Sequence, residues 1–219
     1  PQPTGLATEA YKGDFFTLSI PKGWRVEHGG DRAGFWFRVQ DPANADTQFF
    51  SYGRLEPFLK SEAAKTIWGQ MPQAEMYSLA PVMTDLTARG LLSVWGECIE
   101  YQRRFATSTF TPLVDIQVNY SEEFDGIYAP QGGLESVAKA SCTGPAGSAC
   151  TVMLSTAVFT NGTYIVNGVD TTAMTCYGTI GILAPAGVFE TQFDTLLTCV
   201  NSIQFDKNYV NPSTQPTNG

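Results

Sequence analysis

Apolar residues first recur at the spacing of a strand. In FFTLSIPKGWRV (15–26), Phe15, Phe16, Leu18 and Ile20 make a strand-like run over 14–20, and the turn chemistry of Pro21 and Gly23 ends it. GFWFRVQD (34–41) predicts a second strand, with Phe35, Phe37 and Val39 on one face and Trp36 on the other. TQFFSYGRLE (47–56) follows an Asp-Pro-Ala-Asn turn and is expected to stop at Pro57; Phe50 and Tyr52 share one of its faces. The connections are too short for crossovers, so the three runs predict an antiparallel meander.

The period then lengthens. SEAAKTIWGQ (61–70) places Ser61 at an N-cap before good helix formers. A second helix is predicted from near Thr84 to about Phe105, with Leu91, Trp95, Cys98, Ile99 and Gln102 on one face, widened by Leu86 and Leu92. Gly90 and Gly96 weaken it locally, and Arg103 and Arg104 oppose the dipole in its last turn. Strands return in LVDIQVNYSEEF (113–124), where Val114, Ile116, Val118 and Tyr120 alternate onto one face. LESVAKASC (134–142) and CTVMLSTAVFT (150–160) predict a hairpin, and MTCYGTIGIL (174–183) a last long strand. Phe189, Phe193, Leu196, Leu197 and Val200 fit a helix, after which Ile203 and Phe205 revert to a short strand. This order predicts one α+β domain over 14–206, an antiparallel β-sheet flanked by helices, between polar tails at 1–13 and 207–219.

Both ends of the pattern carry a resemblance. A first strand closing on Ile20-Pro21-Lys22-Gly23-Trp24, and a last helix closing on Ser202-Ile203-Gln204-Phe205, resemble the corresponding ends of PsbP-like domains. That group includes the extrinsic photosystem II subunit, a Ran-binding nuclear import factor, and bacterial secreted or lipid-anchored proteins. The order of meander, helices, long strands, helix and short strand fits it as well, and the resemblance implies an α/β/α sandwich. Members share an architecture and no single activity, so the resemblance implies no functional residue. The cysteine hairpin and the segment MPQAEMYSLAPVM (71–83) are not expected of the group.

Composition adds constraints. With 219 residues, 43% hydrophobic and 16% charged, the chain holds enough apolar material for a real core. Its formal charge of -8 argues against nucleic acid and against an anionic membrane surface. No apolar run is long enough to span a bilayer. No signal peptide is visible, and PQPTGLATEA reads as the start of a trimmed, mature chain. Polar tails of this kind suit a domain that is tethered to a surface, and equally suit plain frayed ends.

The cysteines bear on the compartment. Cys142 and Cys150 flank a Gly-Pro-Ala-Gly turn, so antiparallel flanks would set the two sulfurs opposite each other for a disulfide. Cys176 and Cys199 form a second candidate pair, and Cys98 is left as a small hydrophobe on a helix. The alternative is five reduced thiols.

Catalytic chemistry finds little material. His28, the single histidine, sits in a Gly-rich turn, and a triad would need it beside a nucleophile and an acid. Nucleotide-binding, nucleophile-elbow and zinc-protease motifs are absent from the sequence, and no cofactor or metal is expected. Glu122, Glu123 and Asp125 form the best acidic cluster, but adjacent strand positions point to opposite faces. Asn161-Gly162-Thr163 reads as a hairpin turn, or as a glycosylation acceptor in a eukaryotic secretory host. Trp36, Phe50 and Tyr52 would form a surface aromatic patch if their sheet face were open, and core if helices cover it. The expectation is a non-catalytic, extracytoplasmic binding or structural module, secreted, periplasmic or surface-anchored, with an unknown protein or surface polymer as partner. The alternatives are a hydrolase using His28 or the acidic cluster on a surface polymer, and a subunit that self-assembles through its tails.

Overall fold

Alternating runs become strands, and the strands sort into two main sheets and a small ribbon. The computed structural model describes residues 6–30, 34–72, 74–105 and 109–206. In chain order the elements are β1 (Thr8–Lys12), β2 (Phe16–Pro21), β3 (Arg25–Gly29), β4 (Trp36–Asp41), β5 (Asn44–Leu59), α1 (Glu62–Trp68), α2 (Ala74–Ser78), α3 (Ala88–Ser93) and α4 (Trp95–Phe105). They continue with β6 (Val114–Phe124), β7 (Leu134–Thr143), β8 (Ala149–Thr160), β9 (Ile165–Val166), β10 (Val169–Asp170), β11 (Ala173–Pro185), α5 (Phe189–Val200) and β12 (Gln204–Phe205). Seven strands form the main antiparallel sheet in the order β3-β4-β5-β11-β8-β7-β6, and β1-β2-β12 form a second sheet. The fold is α+β, with the element order expected of a PsbP-like domain.

β2 departs from the expected meander. It pairs with β1 along its length and with β12 at Gln204↔Thr17 and Phe205↔Phe16. Its apolar side chains Phe16, Leu18 and Ile20 cluster with Phe35, Phe37, Val39 and Phe49, so it packs on the face of the main sheet instead of extending it. The meander is β3-β4-β5. Residues 8–12, expected as tail, supply β1, while 1–5 and 207–219 lie outside the described residues. The turn after β2 keeps its sequence logic: Gly23 sits at φ +80, a conformation open to glycine, and its N–H donates to Glu9 at 2.8 Å.

Pro57 does not end β5. The β4 ladder stops at Trp36↔Tyr52, so beyond it β5 pairs only with β11, and a register shift there lies opposite Pro57. A missing N–H is tolerated at such an edge and bulge. The Glu56–Pro57 peptide is cis.

The long helix expected over 84–105 is two. Val94 breaks it at φ -108, between α3 and α4. α3 is capped from outside itself, because the Ala88 N–H donates to Ser136 Oγ on β7 at 2.7 Å. α1 has the expected cap, Ala64 N–H to Ser61 Oγ at 3.2 Å. α3 and α4 cover one face of the main sheet, burying Leu91, Leu92 and Trp95 against Phe50, Tyr52 and Leu154. α5 and the three-stranded sheet cover the β3-β4-β5-β11 part of the other face. A tight Asn167-Gly168 turn, both residues at positive φ, joins β9 to β10; Asn161-Gly162 precedes β9 as a looser connection.

Candidate functional site

His28 lies on β3 opposite Phe37, with its ring 5.1 Å from that of Phe16 and 6.2 Å from that of Phe35. Among the described residues it hydrogen-bonds to no Ser, Thr or Cys side chain, and its ring packs against those of Phe16 and Phe35. No cluster of three metal-ligating side chains occurs among the described residues. The aromatic residues are resolved in favour of core: Trp36, Phe50 and Tyr52 are all buried beneath α3 and α4 and form no surface patch. Tyr52 shows why. Its hydroxyl donates to Thr109 O at 2.9 Å and its ring stacks on Phe110, which seals that face.

All five cysteines are buried, free thiols. Cys142 and Cys150 stand directly opposite each other in the β7–β8 ladder, on the helix-covered face. Burial pushes the Cys142 thiol up to about 12, with the Cys150 thiol and Asp46 adding to it. Burial and then Asp46 push Cys150 up to about 11. The second expected pair is not brought together. Cys176 lies in the cluster under α3 and α4 near Cys98, whereas Cys199 lies in the cluster under the small sheet. The main sheet separates them, because β11 presents alternate residues to opposite faces.

Among the described residues two carboxylates are buried, and both hold turns. Asp46 accepts from Ala146 N at 2.7 Å and Ser148 N at 3.1 Å, tying the start of β5 to the cysteine hairpin. Glu135 Oε2 accepts from Gly126 N at 2.8 Å and from Tyr128 N and Ala129 N at 2.9 Å each. These bonds engage both Asp46 oxygens and Glu135 Oε2 with the protein's own backbone. The sequence reading missed both residues; Glu135 lies 6 to 9 positions from its donors in a Gly-containing turn, a local signal, whereas Asp46 lies 100 and 102 positions from its own and offered none.

Exposed apolar side chains gather on one margin. β6 is the last strand of the main sheet, and Val114, Tyr120 and Phe124 on it are 55%, 47% and 45% exposed. Ile127, in the turn that follows, is 76% exposed, and Leu134 opens β7 beside it. Register irregularities interrupt the β6–β7 ladder between Val114 and Gln117 and between Val118 and Tyr120. Each extra residue reverses the side-chain parity. Ile116 and Val118 therefore pack on the core while Val114 and Tyr120 turn outward, against the single-face expectation. From Tyr120 to Phe124 the ladder is regular again, with Tyr120, Glu122 and Phe124 on one face and Ser121 and Glu123 on the other. Glu123, Asp125 and Glu135 also line an open cleft of about 490 Å³ at the β6–β7 turn. A second concavity, about 600 Å³ between α1 and α4, is lined by Leu79, Tyr101 and Phe105. On its rim Arg103 pairs with Glu100 and Arg104 with Glu75.

No family model matches the chain, and no curated protein matches it. Among solved structures it is similar to the solution structure of cyanobacterial PsbP (CyanoP) from Synechocystis sp. PCC 6803. The identity is 11%, the alignment covers 91% of this chain and 93% of that one, and the TM-score is 0.41. No residue role is carried over from it.

Proposed function

We propose that the chain is a non-catalytic binding module of an oxidising, extracytoplasmic compartment. The observation that carries the binding role is the margin of β6, where Val114, Tyr120, Phe124 and Ile127 stand exposed together. Scattered apolar side chains are ordinary on a protein surface; several along one edge strand and its turn, with Tyr120, Phe124 and Ile127 within eight positions, point to an interaction surface. The buried acids and the histidine support the non-catalytic reading, since they are committed to turns and ring packing. Assay of the full chain against chromogenic esters and glycosides tests it. No turnover is expected; turnover abolished by His28→Ala or by Glu122→Gln with Glu123→Gln would overturn it.

The compartment is argued from the cysteine hairpin. The in-register pair closes as a disulfide when two thiols pass two electrons and two protons to a disulfide oxidant, which leaves as two thiols. Opposed β-carbons are about 4.5–5.5 Å apart and a disulfide wants about 3.5–4.5 Å, so the strands must close by roughly 1 Å. The bridge would stabilise the fold by about 2–3 kcal/mol. Protein made in an oxidising compartment is expected to yield a Cys142–Cys150 linked peptide and a mass two hydrogens below the reduced form. Recovery of five alkylatable thiols from that source would refute the assignment.

A further inference from the structure

The way the β6 margin binds can be read from its backbone and charge. No described strand pairs with the outer side of β6, so its outward N–H and C=O groups have no strand partner there. Edge strands are commonly blunted by charges, above all Lys, by Pro, by bulges or by being short. The opposite edge follows that rule: β3 has 5 residues and carries Arg25. β6 has 11 residues and contains no Lys, Arg or Pro; both of its irregularities precede Tyr120 and leave the run Tyr120–Phe124 regular. It carries Asp115, Glu122 and Glu123, and Asp125 follows it; none of the four forms an ion pair with a described Lys or Arg.

These features select the occupant. A second copy laid antiparallel over the whole strand would set Asp115 against Glu123 twice, and opposed like charges are destabilising. A basic partner gains from the same charges. Resting on the binding-module reading, we infer that β6 takes up an extended segment of a partner protein by strand addition along its regular run Tyr120–Phe124. Read antiparallel from Phe124 to Tyr120, the positions ask in turn for an apolar, a basic, a basic, a polar and an apolar residue. The apolar pair meets Phe124 and Tyr120, and the basic pair meets Glu123 and Glu122. Backbone bonds supply affinity and the alternating side chains supply selection.

The test uses the isotope-labelled full chain and the capped peptide TVKRTIT, with TVEETIT as its charge-reversed control. Amide signals of 120–124 should shift on titration with TVKRTIT, and exchange of the outward amides should slow at least tenfold. Glu122→Lys with Glu123→Lys should weaken TVKRTIT at least tenfold and let TVEETIT bind. Tyr120→Ser with Phe124→Ser should weaken it severalfold, an independent check should the charge variant fold poorly. Absence of shifts in a folded protein would overturn the inference, as would protection of β6 in a dimer without peptide. Shifts confined to the α1–α4 groove would overturn strand addition and leave the binding-module reading standing. Turnover in the ester and glycoside assay removes that reading whatever the peptide does.

Discussion

Asp46 and Glu135 do at single positions what longer loops do elsewhere. Each accepts backbone N–H groups of a turn that the strands and helices leave unpaired. Glu135→Ala strands three donors, so denaturant unfolding should show a loss of about 2–4 kcal/mol, more than an ordinary surface change. The thiols make a second residue-scale prediction. Their folded-state values are raised, chiefly by burial, so the neutral form is favoured in the fold. The stabilisation they give is fully present below the unfolded thiol's value of about 8.5, and is lost as pH climbs through about 11 at Cys150 and about 12 at Cys142. Reduced protein should therefore melt at falling temperature above about pH 9, and protein bridged at Cys142–Cys150 should fall less steeply. Thiolate is the reactive form, so iodoacetamide should alkylate this pair about a hundredfold or more slowly in folded than in denatured protein. The bridge should accordingly form before the hairpin is sealed.

Elements were legible where one rule acted alone. α5 could be read from Phe189, Leu196 and Val200, because a single apolar stripe faces one sheet. β6 could not be read so, because its period of two holds only between irregularities; Asp115 at φ +53 sits in one of them, and no composition signal marks it. The break at Val94 was hidden for a related reason: apolar spacing continues across it while the chain changes direction. Pro57 misled because its cost depends on which neighbours a strand has at that point, a tertiary fact. Gly90 turns the usual helix rule around. A β-carbon there would stand 1.7 Å from Asp85 O, so the glycine is needed for close approach. Gly90→Ala, which in an exposed helix adds about 1 kcal/mol of stability, should here remove about 1–3 kcal/mol by denaturant titration.

At the scale of the molecule, one sheet serves two cores. The core under α3 and α4 is built from strands and helices before residue 186, and α5 supplies none of its residues. The core on the opposite face needs Phe189, Leu196 and Val200 from α5 as well as Phe16 and Leu18 from β2. A chain ended at residue 186 should keep strand content by circular dichroism yet bind a hydrophobic dye several times more strongly than the full chain, because Phe37, Phe49 and Ile182 lose their cover. A chain ended at residue 206 should melt with the full-length protein. Dye binding equal in all three would show that the second core does not depend on α5.

Closure of that second core joins residues far apart in the sequence: Ser19 N–H donates to Ser202 Oγ across 183 positions at 2.7 Å, and Phe16 pairs with Phe205. Synthesis from the N-terminus therefore leaves β2 without these partners until 183 further residues have been added. Until then the nascent chain carries one aromatic face bare and open to misassociation, and the arrival of α5 and β12 ends that exposure.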